Sequence, residues 1–143
     1  QRPDAGMIVG LNFRRRQPYD PCVWLEQNGE IWQPIEWERG LIGPVYRTGM
    51  AACIIPRRTF EIVPPPWFAN TYNVDDQAET IYKREDFYFC DKLRKAGLSI
   101  WVDTRLTSPH EPNLPGWVGA DWWRAWLSKH PQTITQTLVR TGG

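Results

Sequence analysis

What the sequence lacks narrows the field first. No run of about 18 apolar residues occurs, so no segment has the length of a membrane-crossing helix, and no signal-peptide pattern opens the chain. Charge of one sign is not in excess. The 17 Lys and Arg against 16 Asp and Glu leave a net charge of +1, too small a field to point toward nucleic acid or an anionic membrane. Cysteine is scarce: Cys22, Cys53 and Cys90 are odd in number, far apart and form no C-x-x-C pair, which argues against a zinc knuckle or a dithiol redox motif. Each lies in an apolar setting, so the expectation is reduced, buried thiols in a cytoplasmic protein. Internal repeats and low-complexity segments are absent.

What is present is enough for one domain with one core: 143 residues, 41% of them apolar and 23% charged. Nine Trp and thirteen Pro are both high. Large aromatic rings serve either as core or as stacking surfaces for the apolar faces of ligands such as sugars. The chain starts at Gln1, and an apolar strand follows almost at once. The expectation is an N-terminus that has been cut.

Along the chain, residues 6–13 form a mostly apolar run, the pattern of a strand buried on both faces and central in a sheet. Arg14-Arg15-Arg16 opens a basic turn, either solvated or a clamp for phosphates of a donor or a lipid-linked acceptor. Asn28-Gly29 between two apolar runs predicts a hairpin, because a type I′ turn needs positive φ at both positions. Residues 34–44 read as irregular, 45–55 as a strand region interrupted at Thr48-Gly49-Met50, and 57–63 as a short helix. The polar stretch 69–80 reads as a mobile loop. Residues 83–96 are the clearest helix, with Phe89, Cys90 and Leu93 on one face and Gly97 ending it. A short strand at 98–102, a Pro-rich loop at 104–116 and a last helix at 120–129 complete an α/β or α+β order.

The helix at 83–96 opens on two carboxylates, Glu85 and Asp86. Asp86 lies three residues before Phe89 and seven before Leu93, so helical geometry turns it toward the buried face, while Glu85 sits about 100° away. Two readings compete. Carboxylates in a first turn gain roughly 0.3–1 kcal/mol from the helix dipole and need no other purpose. An Asp on an apolar face is costly unless it borders a cleft, where it can act as a general base. His110, in a loop between Pro109 and Glu111, is either a surface residue or an imidazole ligand for a divalent metal.

Several segments recur together in a known order: Gly49-Met50-Ala51-Ala52-Cys53-Ile54-Ile55-Pro56-Arg57-Arg58-Thr59-Phe60, Pro66-Trp67-Phe68, Glu85-Asp86-Phe87-Tyr88-Phe89-Cys90, Ala96-Gly97, Trp101-Val102-Asp103 and His110. This order is similar to the second, acceptor-side half of family-2-like GT-A glycosyltransferases, and the opening Ile8 to Arg15 resembles the strand after that family's metal-binding Asp-Xaa-Asp. The resemblance spans roughly residues 6–112. It implies a partial GT-A-type mixed sheet with flanking helices, residues 1–116, followed by a helix and tail, residues 117–143. It implies transfer of a sugar from a nucleotide-diphospho-sugar to a hydroxyl of a glycan, lipid or other acceptor. Asp86 matches the usual general base, with Glu85 beside it. His110 matches a ligand for Mn²⁺ or Mg²⁺, Trp67 and Phe68 an acceptor-side segment, and Gly49 and Met50 a donor-side one.

The chain departs from that pattern in one respect: it contains no Asp-Xaa-Asp, and Asp75-Asp76 falls beyond the expected place. The expectation is therefore a chain lacking its nucleotide-binding half, inactive alone and prone to self-association through the uncovered face. Two other classes remain: a non-catalytic sugar-binding module, in which Asp86 would be locked in an ion pair, and a structural or assembly domain of the same fold. The basic turn and Trp122, Trp123 and Trp126 of the last helix read most simply as a solvated turn and as packing onto the domain.

Overall fold

The structure, a computed structural model, describes residues 3–15, 19–74, 80–108 and 119–130. It is mixed α/β, with a mixed sheet and flanking helices. The four-stranded sheet has the order β4 (Leu41–Ile42), β9 (Ser99–Ser108), β1 (Ala5–Asn12), β6 (Cys53–Ile54). Strand β1 runs parallel to β9 and antiparallel to β6, which lies at the sheet edge with Ile54 70% exposed. The second sheet has the order β3 (Glu30–Trp32), β2 (Val23–Gln27), β5 (Arg47–Thr48).

The apolar run of β1 is interior as its sequence requires: Met7, Val9, Leu11 and Phe13 are all buried, and Asn12 is buried on the opposite face. The β2–β3 hairpin turns through Asn28 and Gly29 at φ of 55° and 83°, the two positive angles expected of that pair. Helix α1 covers Arg57–Ile62, and α3 covers Ala120–Lys129. Trp123 of α3 is fully buried, stacked on Trp37 at 5.5 Å, while Trp122 and Trp126 meet Tyr19 edge-on. The aromatic helix therefore packs onto the domain.

Helix α2 (Glu85–Lys95) buries Phe89, Cys90 and Leu93. A buried Phe or Leu stabilises by about 1.5–3 kcal/mol. Leu93 presses on β1 so closely that a Cβ at Gly6 would lie 3.0 Å from it and 2.8 Å from the Leu98 Cβ. The helix ends in a Schellman motif: the Leu98 N–H donates to the Leu93 carbonyl, the Gly97 N–H to that of Arg94, and Gly97 takes φ of 72°.

Four expectations need correction. The polar stretch at 69–80 carries strands β7 (Thr71–Val74) and β8 (Thr80–Lys83) at its flanks, paired with each other; Thr, Tyr, Val and Ile suit a two-stranded ribbon despite polar surroundings. Residues 75–79, with Asp75 and Asp76, lie outside the described residues. Lys83 consequently ends a strand, and α2 starts at Glu85. Strand β9 continues to Ser108 where a loop was expected from 104, because its pairing with β1 resumes at Leu11↔Thr107 after Thr104, Arg105 and Leu106 bulge out. The cysteines are free, but Cys22 is half-buried and Cys53 exposed; only Cys90 has the buried setting expected of all three.

Candidate active site

The end of β1, the turn after β5 and the start of α2 converge on one cleft. Its hub is Asn12. The Asn12 amide donates to the Gly49 carbonyl at 3.1 Å and to the Gly10 carbonyl at 3.3 Å, while its own backbone carbonyl accepts from the Cys22 N–H. The Gly49 N–H in turn donates to the Cys22 carbonyl. The approach is so close that a Cβ at Gly49 would stand 2.6 Å from the Asn12 Oδ1, so glycine is required there.

Helix α2 is docked onto this unit by contacts along its length. The Cys90 thiol bonds the Thr48 carbonyl at 3.6 Å, Phe87 meets Trp24 edge-on at 4.8 Å, and Asp91 holds Arg47 of β5 through two bonds of 3.0 Å. The N-cap position, Arg84, supplies no side-chain cap; Asn70 does so from a distance, its Oδ1 accepting from the Glu85 N–H at 3.1 Å. Phe68 rests on Phe89 at 4.8 Å, and the Lys92 ammonium straps the carbonyls of Pro64 and Pro66 to the helix.

The resulting cleft has a volume of about 1040 Å³ and brings Gly49, Met50, Phe68, Glu85 and Asp86 together with Asn12, Cys22, Arg14, Arg15 and Arg84. Trp67 does not line it: its indole N–H donates to the Val63 carbonyl at 2.7 Å, and its ring meets Phe60 edge-on. His110 lies outside the described residues. A smaller cavity of about 330 Å³, lined by Trp32, Trp37, Leu11, Ile42 and Val102 among others, contains none of the predicted catalytic or substrate-binding residues.

Asp86 is half-buried, and burial pushes its carboxyl above the ordinary range, against a lowering pull from the Phe87 N–H and Arg84. Its Oδ1 accepts from that N–H at 2.8 Å; among the described residues it forms no ion pair. Asp91, on the same helix, behaves in the opposite way. Burial alone would raise its carboxyl, but bonds from Arg47, Lys83 and Arg94 hold it far below the usual range. Cys22 and Cys90 are pushed up to about 12, chiefly by burial, so neither is a thiolate nucleophile near neutral pH.

Sequence reasoning missed Asn12, Arg84 and Asp91. For Asn12 the signal was there: an amide inside a doubly buried strand must find partners. For Arg84 and Asp91 the sequence held no such signal, because their surroundings come from distant segments. Among the described residues no group of three His, Cys, Asp or Glu side chains converges to hold a metal, and no helix is long and apolar enough to cross a membrane. The chain matches no protein-family model, no curated protein and no solved structure.

Proposed function

We propose that the chain is the acceptor-side half of a GT-A-type glycosyltransferase that moves a sugar from a nucleotide-diphospho-sugar to an acceptor hydroxyl, with Asp86 as general base. The observation that carries this reading is the Asp86 carboxylate, half-buried in the large cleft with no cation locked to it among the described residues. One oxygen is oriented by the Phe87 N–H, which leaves the other to receive the proton of an acceptor hydroxyl. As that O–H bond breaks, the acceptor oxygen forms a bond to the anomeric carbon and the nucleoside diphosphate leaves. A base whose carboxyl is raised toward neutral pH drives that proton transfer better than an ordinary exposed Asp.

A non-catalytic sugar-binding module would tolerate an Asp86 locked in an ion pair; that arrangement falls to Asp91 instead. Glu85, beside Asp86 and about half-exposed, is free to contact substrate hydroxyls from the rim, and Phe68 offers a ring face at 46% exposure. Mn²⁺ or Mg²⁺ bound by His110 would neutralise charge on the leaving diphosphate. That part rests on the resemblance alone: the described residues do not by themselves make a site for such an ion, and the proton step needs none.

The test is transfer by the intact protein, read as nucleoside diphosphate released from a panel of nucleotide sugars. Asp86→Asn should lower turnover at least ~100-fold with donor binding nearly unchanged. Full turnover in that variant would remove Asp86 from the chemistry, and no transfer from any donor would sink the reading.

A further inference from the structure

Outside the cleft, most of the described arginines close tightly on carboxylates, while Arg58 donates to the Ala5 carbonyl. Arg47 and Arg94 hold Asp91 at 3.0 and 2.6 Å, Arg57 holds Glu61 at 3.0 Å, and Arg105 holds Asp103 at 2.6 Å. Inside the cleft they do not. Arg14 stands 3.8 Å from Asp20, Arg84 stands 3.8 Å from Glu85, and Arg15 forms no ion pair among the described residues. At 3.8 Å no hydrogen bond is made, so the forks of all three keep donors to offer. Their mobility is restrained on one side: the Arg14 guanidinium lies over the Trp24 ring at 5.7 Å.

The three groups sit on two facing walls. Arg14 and Arg15 follow β1, while Arg84 precedes α2. The Cys22 thiol between the walls is raised by burial, pulled down by Arg14 and Arg84, and pushed up by Asp86 and Asp20. Cys22, Asp86 and all three arginines line the same cleft. Three guanidinium groups against Glu85 and Asp86 leave the lining positive, and planar forks match the oxygens of a phosphate better than any neutral sugar.

We propose that this cleft takes a phosphate-bearing substrate, its phosphate seated among Arg14, Arg15 and Arg84 beside Asp86. The site itself stands on the arginine geometry; that the substrate is the acceptor rests on the function proposed above. A base works within hydrogen-bond reach of the hydroxyl it deprotonates, and Arg84 is two residues from Asp86, so a phosphate held there belongs to the molecule carrying that hydroxyl. The same chemistry is offered by a soluble sugar phosphate and by a lipid-linked phosphate.

Titration calorimetry of the chain with inorganic phosphate, a hexose 6-phosphate and the matching neutral hexose tests the site. Sedimentation with phosphatidylcholine vesicles, with and without phosphatidic acid, tests the lipid source. Phosphate and hexose phosphate should bind and the neutral hexose should not. Arg15→Gln and Arg84→Gln, both at exposed positions that leave the melting temperature unchanged, should each weaken binding about tenfold, the typical worth of a charge-assisted bond. Asp86→Asn should tighten it by removing a like charge, a response that a purely structural arginine cluster would not give. Phosphatidic-acid-dependent sedimentation without soluble binding, lost in the same variants, assigns a lipid-linked phosphate.

No binding in either format, or binding that both arginine substitutions leave intact, overturns the proposal. Displacement of the hexose phosphate by uridine diphosphate also overturns it, because the arginines would then serve the donor. Asp86-dependent transfer without phosphate binding defeats this inference alone, and phosphate binding without transfer from any donor defeats the proposed function alone.

Discussion

Asp91→Asn should be the most damaging isosteric substitution in helix α2. The Asp91 carboxylate is 8% exposed and accepts four bonds: two of 3.0 Å from Arg47, one of 2.5 Å from Lys83 and one of 2.6 Å from Arg94. The amide keeps the shape and one acceptor but leaves three cations without a counter-charge. Removing one partner of a buried pair costs about 3–5 kcal/mol. The cations are themselves 22–33% exposed and regain some water, which places the loss near the lower end, about 3 kcal/mol. With a urea slope of roughly 1–3 kcal/mol per molar, the unfolding midpoint should fall by about 1–3 M. The pH dependence has a definite sign. A carboxyl depressed in the folded state contributes stability that is present above its unfolded value of about 4 and lost as pH falls through the folded value. Wild type and variant should therefore converge on acidification below about pH 4. Asp86→Asn, on the same helix, should leave the midpoint unchanged or raise it, since burial already disfavours its charge. Urea titrations at pH 7 and pH 3 decide the matter: a loss under about 1 kcal/mol for Asp91→Asn, or a larger loss for Asp86→Asn, refutes this division of roles.

Two further outcomes follow from local geometry. Asp20 is 2% exposed, its Oδ1 has no hydrogen-bond partner among the described residues, and burial pushes its carboxyl to about 6 against an opposing pull from Arg14. Stability from this group is present below about pH 4 and lost as pH rises through about 6, so thermal melts should show wild type gaining stability from pH 8 to pH 5, and Asp20→Asn should flatten that gain while stabilising the protein at pH 8 by up to about 3 kcal/mol. Gly97→Ala should cost about 1–2 kcal/mol in a urea melt, entirely from forcing φ of 72° on a residue with a Cβ, because nothing lies within 4 Å of where that Cβ would go; a neutral result would show that the helix end relaxes.

Much of the fold was legible because local chemistry dictates it. Asn28-Gly29 specifies its hairpin, the doubly apolar run at 6–13 specifies an interior strand, and Gly97 specifies the end of α2. The errors share a cause. Strands β7 and β8 and the far end of β9 carry many polar residues, and backbone pairing defines them as strands. At the site, spacing turned Asp86 inward, while only the resemblance to a family motif order grouped it with Gly49, Met50 and Phe68, which line the same cleft. Trp67 belonged to the same sequence motif, yet its ring turned to Phe60 and its indole N–H to Val63. Adjacent positions on an extended segment face different ways, and no motif records which one reaches the cleft.

The contrast between Asp86 and Asp91 carries the functional reading further than either residue does singly. Five residues on one helix separate them, about 140° of rotation, so they cannot share surroundings. Asp91 meets Arg47 from β5, Lys83 from the end of β8 and Arg94 from its own helix. Asp86 has a guanidinium two residues away at Arg84, near enough to lower its carboxyl, yet burial still outweighs that pull and no ion pair closes among the described residues. Asn70, just before β7, supplies the cap of α2, and Arg14, Arg15 and Arg84 line the cleft beside Asp86. A fold built only to hold α2 in place has what it needs in Asp91, Cys90 and Phe87. A second carboxylate kept half-buried without a counter-ion detracts from stability, and strain of that kind gathers where a ligand, not the protein, completes the contacts.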